Sequence, residues 1–358
     1  MKATTPLTRR SNTLSSSLGL GEKLFASSDE RRFAVAIESG LELIEARLLA
    51  EMAFADEIAD VTTRYLLDAG GKRVRPVLTL LTAQLGEGNN DEVISAAMAI
   101  EITHLASLYH DDVMDEAQMR RGVPSAQAVW GNSVAILTGD LLFARASQIG
   151  ARLGGRVLEL QAATFERLVL GQLHETIGPR EGEDPIEHYL QVLADKTGSL
   201  IAAAAQMGVI FSKAPEEYRE CVRLFGERIG VAFQLIDDVI DLSTKADDTG
   251  KTPGTDLRSG VATLPLLYLR RLAATDSDAE KLLHRIDRDV TASFEGEGGD
   301  DELLAAVVEL REHPVTQMTL DEAHRWSREA VAALDPLPKG PVKKALTRFA
   351  ETLVERSS

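Results

Sequence analysis

From about Asp29 onward the apolar residues of the chain recur three and four positions apart. The stretch FAVAIESGLELIEARLLAEM sets them on one side with acidic residues between, the period of an amphipathic helix. Segments of helix length then alternate with short breaks: DAGGKRVRP, GEGNND, RRGVPS, GPREGEDP, SKAPEE, KADDTGKTPGTDLRSG, FEGEGGDD and LDPLPKGPV. Aromatic residues make up only 5% of the chain, while Ala, Leu, Val and Ile carry the helical spacing, so the pattern predicts an all-α architecture rather than a β-sandwich or barrel. No break splits the chain into independent halves, and no repeat of solenoid length appears. We therefore expect a flexible N-terminal tail over residues 1–28 and a single all-α domain over 29–358.

Bulk properties narrow the functional classes. A length of 358 residues at 44% hydrophobic content can bury one large core or two smaller ones. A formal net charge of -17 without a long basic run argues against nucleic acid, whose phosphates require clustered Lys and Arg. The single cysteine, Cys221, excludes an internal disulfide framework, suits a reducing cytoplasm and reads best as a small apolar filler on a helix. No apolar run approaches the roughly 18 residues of a membrane span. The first 21 residues contain no acid and several Ser and Thr, as transit peptides do, but lack a long Arg-rich amphipathic period.

Against this background two acidic motifs stand out. HLASLYHDDVMDE carries Asp111, Asp112 and Asp115, and FQLIDDVIDLS carries Asp237, Asp238 and Asp241. One such triplet in an acidic chain is usually a solvated face. Two with identical spacing, each inside an apolar run, exceed what this aspartate content produces by chance. Unpaired carboxylates in apolar surroundings are costly, so a cation is the economical partner. On a helix Asp111 pairs with Asp115, and Asp237 with Asp241, on one face; Asp112 and Asp238 point about 100° away and would support the ligands. With oxygen donors alone and most of the coordination sphere left open, the pattern suits Mg²⁺ shared with substrate phosphates, and implies a diphosphate ligand.

A diphosphate also needs protein cations. GGKRVRP supplies Lys72, Arg73 and Arg75, RRG supplies Arg120 and Arg121, DKTGS supplies Lys196, and GKTPGTDLRSG supplies Lys251 and Arg258. Each alone would be an ordinary helix-end or solvated charge. Their recurrence beside the aspartates shifts the balance.

In this order GGKRVRP, HLASLYHDDVMD, RRG, KTG, FQLIDDVID and GKTPGTDLRSGVATLP resemble the trans-isoprenyl diphosphate synthases, the polyprenyl synthetase family. The resemblance runs from about Leu41 to Leu269, and YHDDVMDEAQMRRG is similar to long-chain actinobacterial members that make menaquinone side chains. It implies the isoprenoid synthase type I fold, a bundle of ten or more helices around a deep central cavity, usually as a homodimer. The implied reaction joins isopentenyl diphosphate head to tail to an allylic diphosphate, with about three Mg²⁺ ions gripping the latter. By motif, Asp111, Asp115 and Asp237 would bind metal, with Asp112, Asp238 and Asp241 supporting. Arg120, Lys196 and Lys251 would hold the allylic diphosphate; Lys72, Arg75, His104 and Arg121 would hold isopentenyl diphosphate. Thr197 and Gln234 would lie against the carbon where positive charge develops, completing a catalytic set with Lys196. His110 reads as structural. Many relatives carry Lys where this chain has Val261, and Arg258 would compensate.

Ala106 and Ser107 lie one turn before Asp111. Bulky residues there close the pocket early in this family, so these small ones imply a long all-trans product of about seven to ten isoprene units (C35–C50); the plainer reading is that they let two helices pack closely. Two alternatives remain. A noncatalytic regulatory subunit would usually lose one acidic motif, and a class I terpene cyclase would lack the GGKRVRP and RRG cations. A cytoplasmic location follows from the same resemblance, with transient membrane contact for release of an apolar product.

Overall fold

The computed structural model describes residues 28–243, 253–295 and 300–355, so almost all of the expected N-terminal tail lies outside the described residues. The fold is all-α, as the periodicity predicts, apart from one two-stranded hairpin. In chain order the elements are α1 (Ser28–Glu51), α2 (Glu57–Asp68), α3 (Val74–Ala83), α4 (Asp91–Met114), β1 (Met119–Arg120), β2 (Val123–Pro124), α5 (Ala126–Trp130) and α6 (Asn132–Leu153). Then come α7 (Gly155–Ile177), α8 (Pro185–Leu193), a π-helical turn (Ala194–Gly198), α9 (Ser199–Phe211), α10 (Tyr218–Asp241), α11 (Thr255–Arg258) and α12 (Leu264–Ala273). Four more, α13 (Ser277–Glu295), α14 (Asp300–Glu312), α15 (Pro314–Ala333) and α16 (Pro341–Val354), complete the chain. These form two compact units: residues 28–159, 204–219 and 339–346, and residues 160–203, 220–338 and 347–355.

The first unit is organised by α4. Its sequence is apolar nearly all round, which marks a helix enclosed on every side rather than one with a solvated face. Asn90 caps it by accepting a hydrogen bond from the Val93 amide at 2.9 Å. Its main neighbour is α6, with α3 and α1 on other sides. The approach to α6 is tight at Gly139: a Cβ there would meet the His110 ring at 2.4 Å and the Ala106 carbonyl at 3.2 Å. His110 Nε2 also lies 3.1 Å from the Ile136 carbonyl oxygen, so the structural reading of His110 agrees with its surroundings.

The second unit contains the later part of α7, then α8, the π-turn, most of α10, and α11 to α15. Asp184 caps α8 by accepting from the Ile186 amide at 2.8 Å, with Pro185 in the first helical position. Along α10, Val222, Phe225, Ile229, Ala232 and Ile236 recur at helical spacing and are fully buried. Cys221 is buried beside them, as expected of an apolar filler. A separate cluster, including Leu257, Leu269, Leu282, Leu303 and Val307, packs α11 to α14 together. No helix among the described residues is long and apolar enough to cross a membrane.

Candidate active site

Both acidic motifs sit in the last turn of a long helix. Asp111 and Asp112 close α4, whose hydrogen-bond ladder reaches Asp115 through a 2.8 Å bond from its amide to the Asp111 carbonyl. Asp237, Asp238 and Asp241 close α10. Neither last turn contains a basic residue. A helix C-terminus carries partial negative charge, which disfavours each nearby carboxylate by about 0.3–1 kcal/mol. Capping and dipole energetics therefore give no reason for three acids at either end, whereas a divalent cation gains from both the carboxylates and the dipole. Among the described residues no three acidic, histidine or cysteine side chains converge tightly enough to hold a metal alone. The donors nevertheless fit Mg²⁺, a hard ion that takes one or two carboxylates and completes its shell with water and phosphate oxygens.

The middle aspartates turn away from their partners. Asp112 is fully buried and accepts from Arg120 Nε at 2.6 Å, while its Oδ2 has no hydrogen-bond partner. Burial raises its pKa and the Arg120 charge opposes the rise. Asp238, also buried, accepts from the Tyr189 hydroxyl at 2.8 Å and the Leu264 amide at 3.4 Å, both on Oδ2. Burial raises its pKa above the ordinary value; the Tyr189 bond opposes this, and neighbouring Asp256 adds to it. Asp111, Asp237 and Asp241 are half-buried and Asp115 is exposed. Asp241 also fastens the following segment: its carboxylate accepts from the Asp256 amide at 3.0 Å and its carbonyl from the Gly254 amide at 2.8 Å.

Arg120 and Arg121 are carried by the hairpin. Arg121 and Gly122 both have positive φ, 54° and 77°, the signature of the two-residue turn whose twist matches paired strands. This conformation sends the neighbouring side chains to different partners. Arg120 meets Asp112, while Arg121 Nη1 donates to the carbonyls of Leu66, at 2.7 Å, and Gly70. Beside it the GGKRVRP loop enters α3 through Arg73, itself at φ 51°. A Cβ on Gly71 would lie 2.8 Å from Arg73 Nη1 and 3.0 Å from Arg121 Cζ, so a side chain at this loop position would push the two guanidinium groups from their places.

Three guanidinium groups thus gather in the first unit, and the sequence did not reveal what balances them. Arg73 is buried between Glu45 and Glu101, donating to Glu101 Oε1 at 3.2 Å and forming a short bond with Glu45. Desolvation would lower the Arg73 pKa, but these two carboxylates outweigh it. Arg75 is held down to about 10 by desolvation, with Glu101 opposing and Arg121 reinforcing, and so stays cationic at neutral pH. Its Nε is buried without a hydrogen-bond partner. Desolvation pushes the pKa of His104 well down, helped by Arg75, Arg121, Arg73 and Arg120, so His104 is neutral. Lys72 is exposed. The charge excess and the orphaned Arg75 donor suit an anion. Glu101, a lone acid in the apolar run AMAIEITHLAS, was a signal that could have been read.

In the second unit Lys196 and Thr197 ride on the π-turn, which the Ser199 amide closes onto the Ala194 carbonyl. Neighbouring backbones approach closely: a Cβ on Gly171 would fall 2.6 Å from the Lys196 nitrogen, and one on Gly230 2.7 Å from the Gly198 Cα. Arg167 braces the turn, reaching Asp195 at 2.6 Å and Glu227 at 2.7 Å, and Lys196 Nζ pairs with Glu175 at 2.5 Å. Neither partner was visible locally. Gln234 is half-buried on α10. Lys251 lies outside the described residues. Val261 is exposed, and Arg258 is half-buried. Ala106 is fully buried at the close approach to Gly139, which favours the packing reading of its small size. Ser107, also buried, returns its hydroxyl to the His104 carbonyl at 2.9 Å.

Comparison with known proteins gives the same direction from most of the chain. The family model described as polyprenyl synthetase matches residues 56–295. The nonaprenyl diphosphate synthase of Mycobacterium tuberculosis is 43% identical over 326 residues, covering 90% of this chain and 94% of that protein. Among solved structures, a polyprenyl synthase from Caulobacter crescentus, complexed with calcium and isoprenyl diphosphate, superposes with a TM-score of 0.81. It is 30% identical, with 92% and 98% of the two chains covered. A decaprenyl diphosphate synthase from Rhodobacter capsulatus gives a TM-score of 0.79 at 31% identity, covering 92% and 99%.

Proposed function

Because the chain belongs to the polyprenyl synthetase family, whose named members are prenyltransferases, we propose that it is an all-trans long-chain polyprenyl diphosphate synthase. It extends an allylic diphosphate with isopentenyl diphosphate to about C35–C50, in keeping with the similar nonaprenyl and decaprenyl enzymes. The observation that carries the reading is the pair of acid-rich helix ends with no basic residue in their last turns, which a divalent cation would stabilise.

In this reading Asp111 and Asp115, with Asp237 and Asp241, hold Mg²⁺, about three ions by family resemblance, while Asp112 and Asp238 support them. When bound, the metal neutralises the departing diphosphate and so favours rupture of the allylic C–O bond. Arg120, Lys196 and Lys251 grip that diphosphate. Lys72, Arg75, His104 and Arg121 orient isopentenyl diphosphate, with neutral His104 offering a donor without further charge. Thr197 and Gln234 present oxygen dipoles where the allylic carbon becomes positive. The released diphosphate accepts the proton lost from the new carbon–carbon unit, so no side-chain nucleophile or base is required.

The proposal also includes a cytoplasmic location and a menaquinone side chain as the fate of the product, as the resemblance of YHDDVMDEAQMRRG to long-chain actinobacterial members implies. A homodimer is also part of the proposal: Val169, Leu170, Leu173 and Ile177 leave an exposed apolar stripe on α7 of the kind that subunit contacts cover. The test is purified protein with Mg²⁺, labelled isopentenyl diphosphate, and farnesyl or geranylgeranyl diphosphate as primer. A ladder ending at about C35–C50 is expected. Absence of condensation would leave the regulatory-subunit reading, and a cyclic hydrocarbon formed from the allylic substrate alone would favour a terpene cyclase.

A further inference from the structure

Tyr189 lies in no motif that points to catalysis, yet its hydroxyl is placed among carboxylates. It projects from α8 and donates to Asp238 Oδ2 at 2.8 Å, and the Leu264 amide, at the start of α12, reaches the same oxygen at 3.4 Å. Asp238 is only 5% exposed. Desolvation, followed by Asp238, Asp256 and Glu175, holds the phenol well above its ordinary pKa, so it remains a protonated donor. The donor is neutral and meets an acid that has Asp237 and Asp256 as further negative neighbours.

This arrangement bears on which oxygens the second acidic motif presents. Adjacent helical residues diverge by about 100°, so Asp238 cannot share a face with Asp237 and Asp241 while its carboxylate is held toward α8 and α12. Without a donor, a buried carboxylate beside two others would gain by turning toward water or a cation. We propose that Tyr189 is a positioning residue of the second acidic motif: its hydroxyl holds the Asp238 carboxylate inward, leaving Asp237 and Asp241 to present their oxygens to the metal. The inference rests on the proposed reading of these aspartates as the Mg²⁺ and diphosphate site.

The experiment uses the full chain and Tyr189→Phe, which keeps the ring and removes only the hydroxyl. Binding of inorganic pyrophosphate in the presence of Mg²⁺ is measured by calorimetry, alongside condensation kinetics and thermal melting. Metal-supporting interactions typically contribute tenfold or more, so pyrophosphate affinity and kcat should each fall about tenfold. The KM for isopentenyl diphosphate should stay within about twofold, since that substrate's residues lie elsewhere in the chain. A double-mutant cycle with Asp238→Asn separates positioning from general weakening: in the Asn background, removing the hydroxyl should change pyrophosphate affinity by less than about twofold.

If Tyr189→Phe alone fails to fold, comparison of Asp238→Asn with the double variant decides the matter, because no buried charge then needs the phenol. Wild-type pyrophosphate affinity in Tyr189→Phe, or an equal loss in both backgrounds, overturns the inference and leaves the synthase reading intact. If the native chain neither condenses substrates nor binds pyrophosphate with Mg²⁺, both fall together.

Discussion

Asp112 and Asp238 occupy the same place in two motifs with identical spacing, yet the fold treats them differently. Asp112 meets a guanidinium from the hairpin and keeps one oxygen without a partner. Asp238 meets a phenol and a backbone amide, both on one oxygen. A charged donor offsets the burial of a carboxylate far better than neutral ones do. The first motif is therefore stabilised by charge balance, and the second by shape and directed donors. Repetition in sequence thus does not mean repetition in physics, and the two acidic sets should fail differently when disturbed.

The largest effects should come from the residues the motifs share. Asp111→Asn and Asp237→Asn should each reduce kcat by about 10²–10³-fold with little change in melting temperature, and chelation of Mg²⁺ should abolish turnover in the parent. Equal stability alongside such losses would establish that both acids serve the ligand; a melting shift that accounts for the lost activity would refute it.

The next expectation distinguishes the middle aspartates. Arg120→Ala removes the cation bonded to buried Asp112 and should cost about 2–3 kcal/mol, less than a fully buried pair because Arg120 is 28% exposed. Adding Asp112→Asn should restore most of that stability in chemical denaturation. Tyr189→Phe, which removes a neutral donor, should cost only about 1 kcal/mol. The reverse ranking would contradict the charge-balance account.

Product length provides a smaller and more local comparison. Ser107→Phe should shorten the product by one or more isoprene units, read by chromatography of the dephosphorylated chains. Ala106→Phe should instead lower stability by about 1–3 kcal/mol, since its surroundings at the Gly139 crossing are already filled. If Ala106→Phe proves stable and shortens the product as well, the close crossing does not limit that position. The smallest effect is expected from Arg258→Ala: a rise of about two- to fivefold in KM for the allylic substrate. No change in either KM or turnover would remove the idea that Arg258 substitutes for the lysine absent at Val261.

The helices and the acidic, basic and glycine-rich stretches could be read from the chain because each is local. Periodicity marks an amphipathic segment, and Asp-Asp-x-x-Asp marks one face within a single turn. The hairpin behind RRG was hidden because strands of two residues are too short for any alternation. Arg73 shows the limit most clearly. It sits between two prominent cations, but its side chain is occupied by Glu45 and Glu101, each 28 residues away. Glu175, Arg167 and Tyr189 escaped for the same reason: their partners lie on other helices, and nothing in their neighbours announces the contact. Ala106 is the opposite case, since its small size was visible but served two explanations that only packing could separate.

The π-turn at Ala194–Gly198 also has a bearing on how this stretch tolerates length change. One additional residue per turn slips the angular phase of everything downstream by about 100° relative to a continuous α-helix. An amphipathic register counted from Pro185 therefore does not carry into α9. Removing a single amino acid within the turn would let it close as an ordinary α-turn and leave the Ser199–Phe211 face where it is, whereas the same deletion inside the regular part of α9 would rotate the residues beyond it by about 100°.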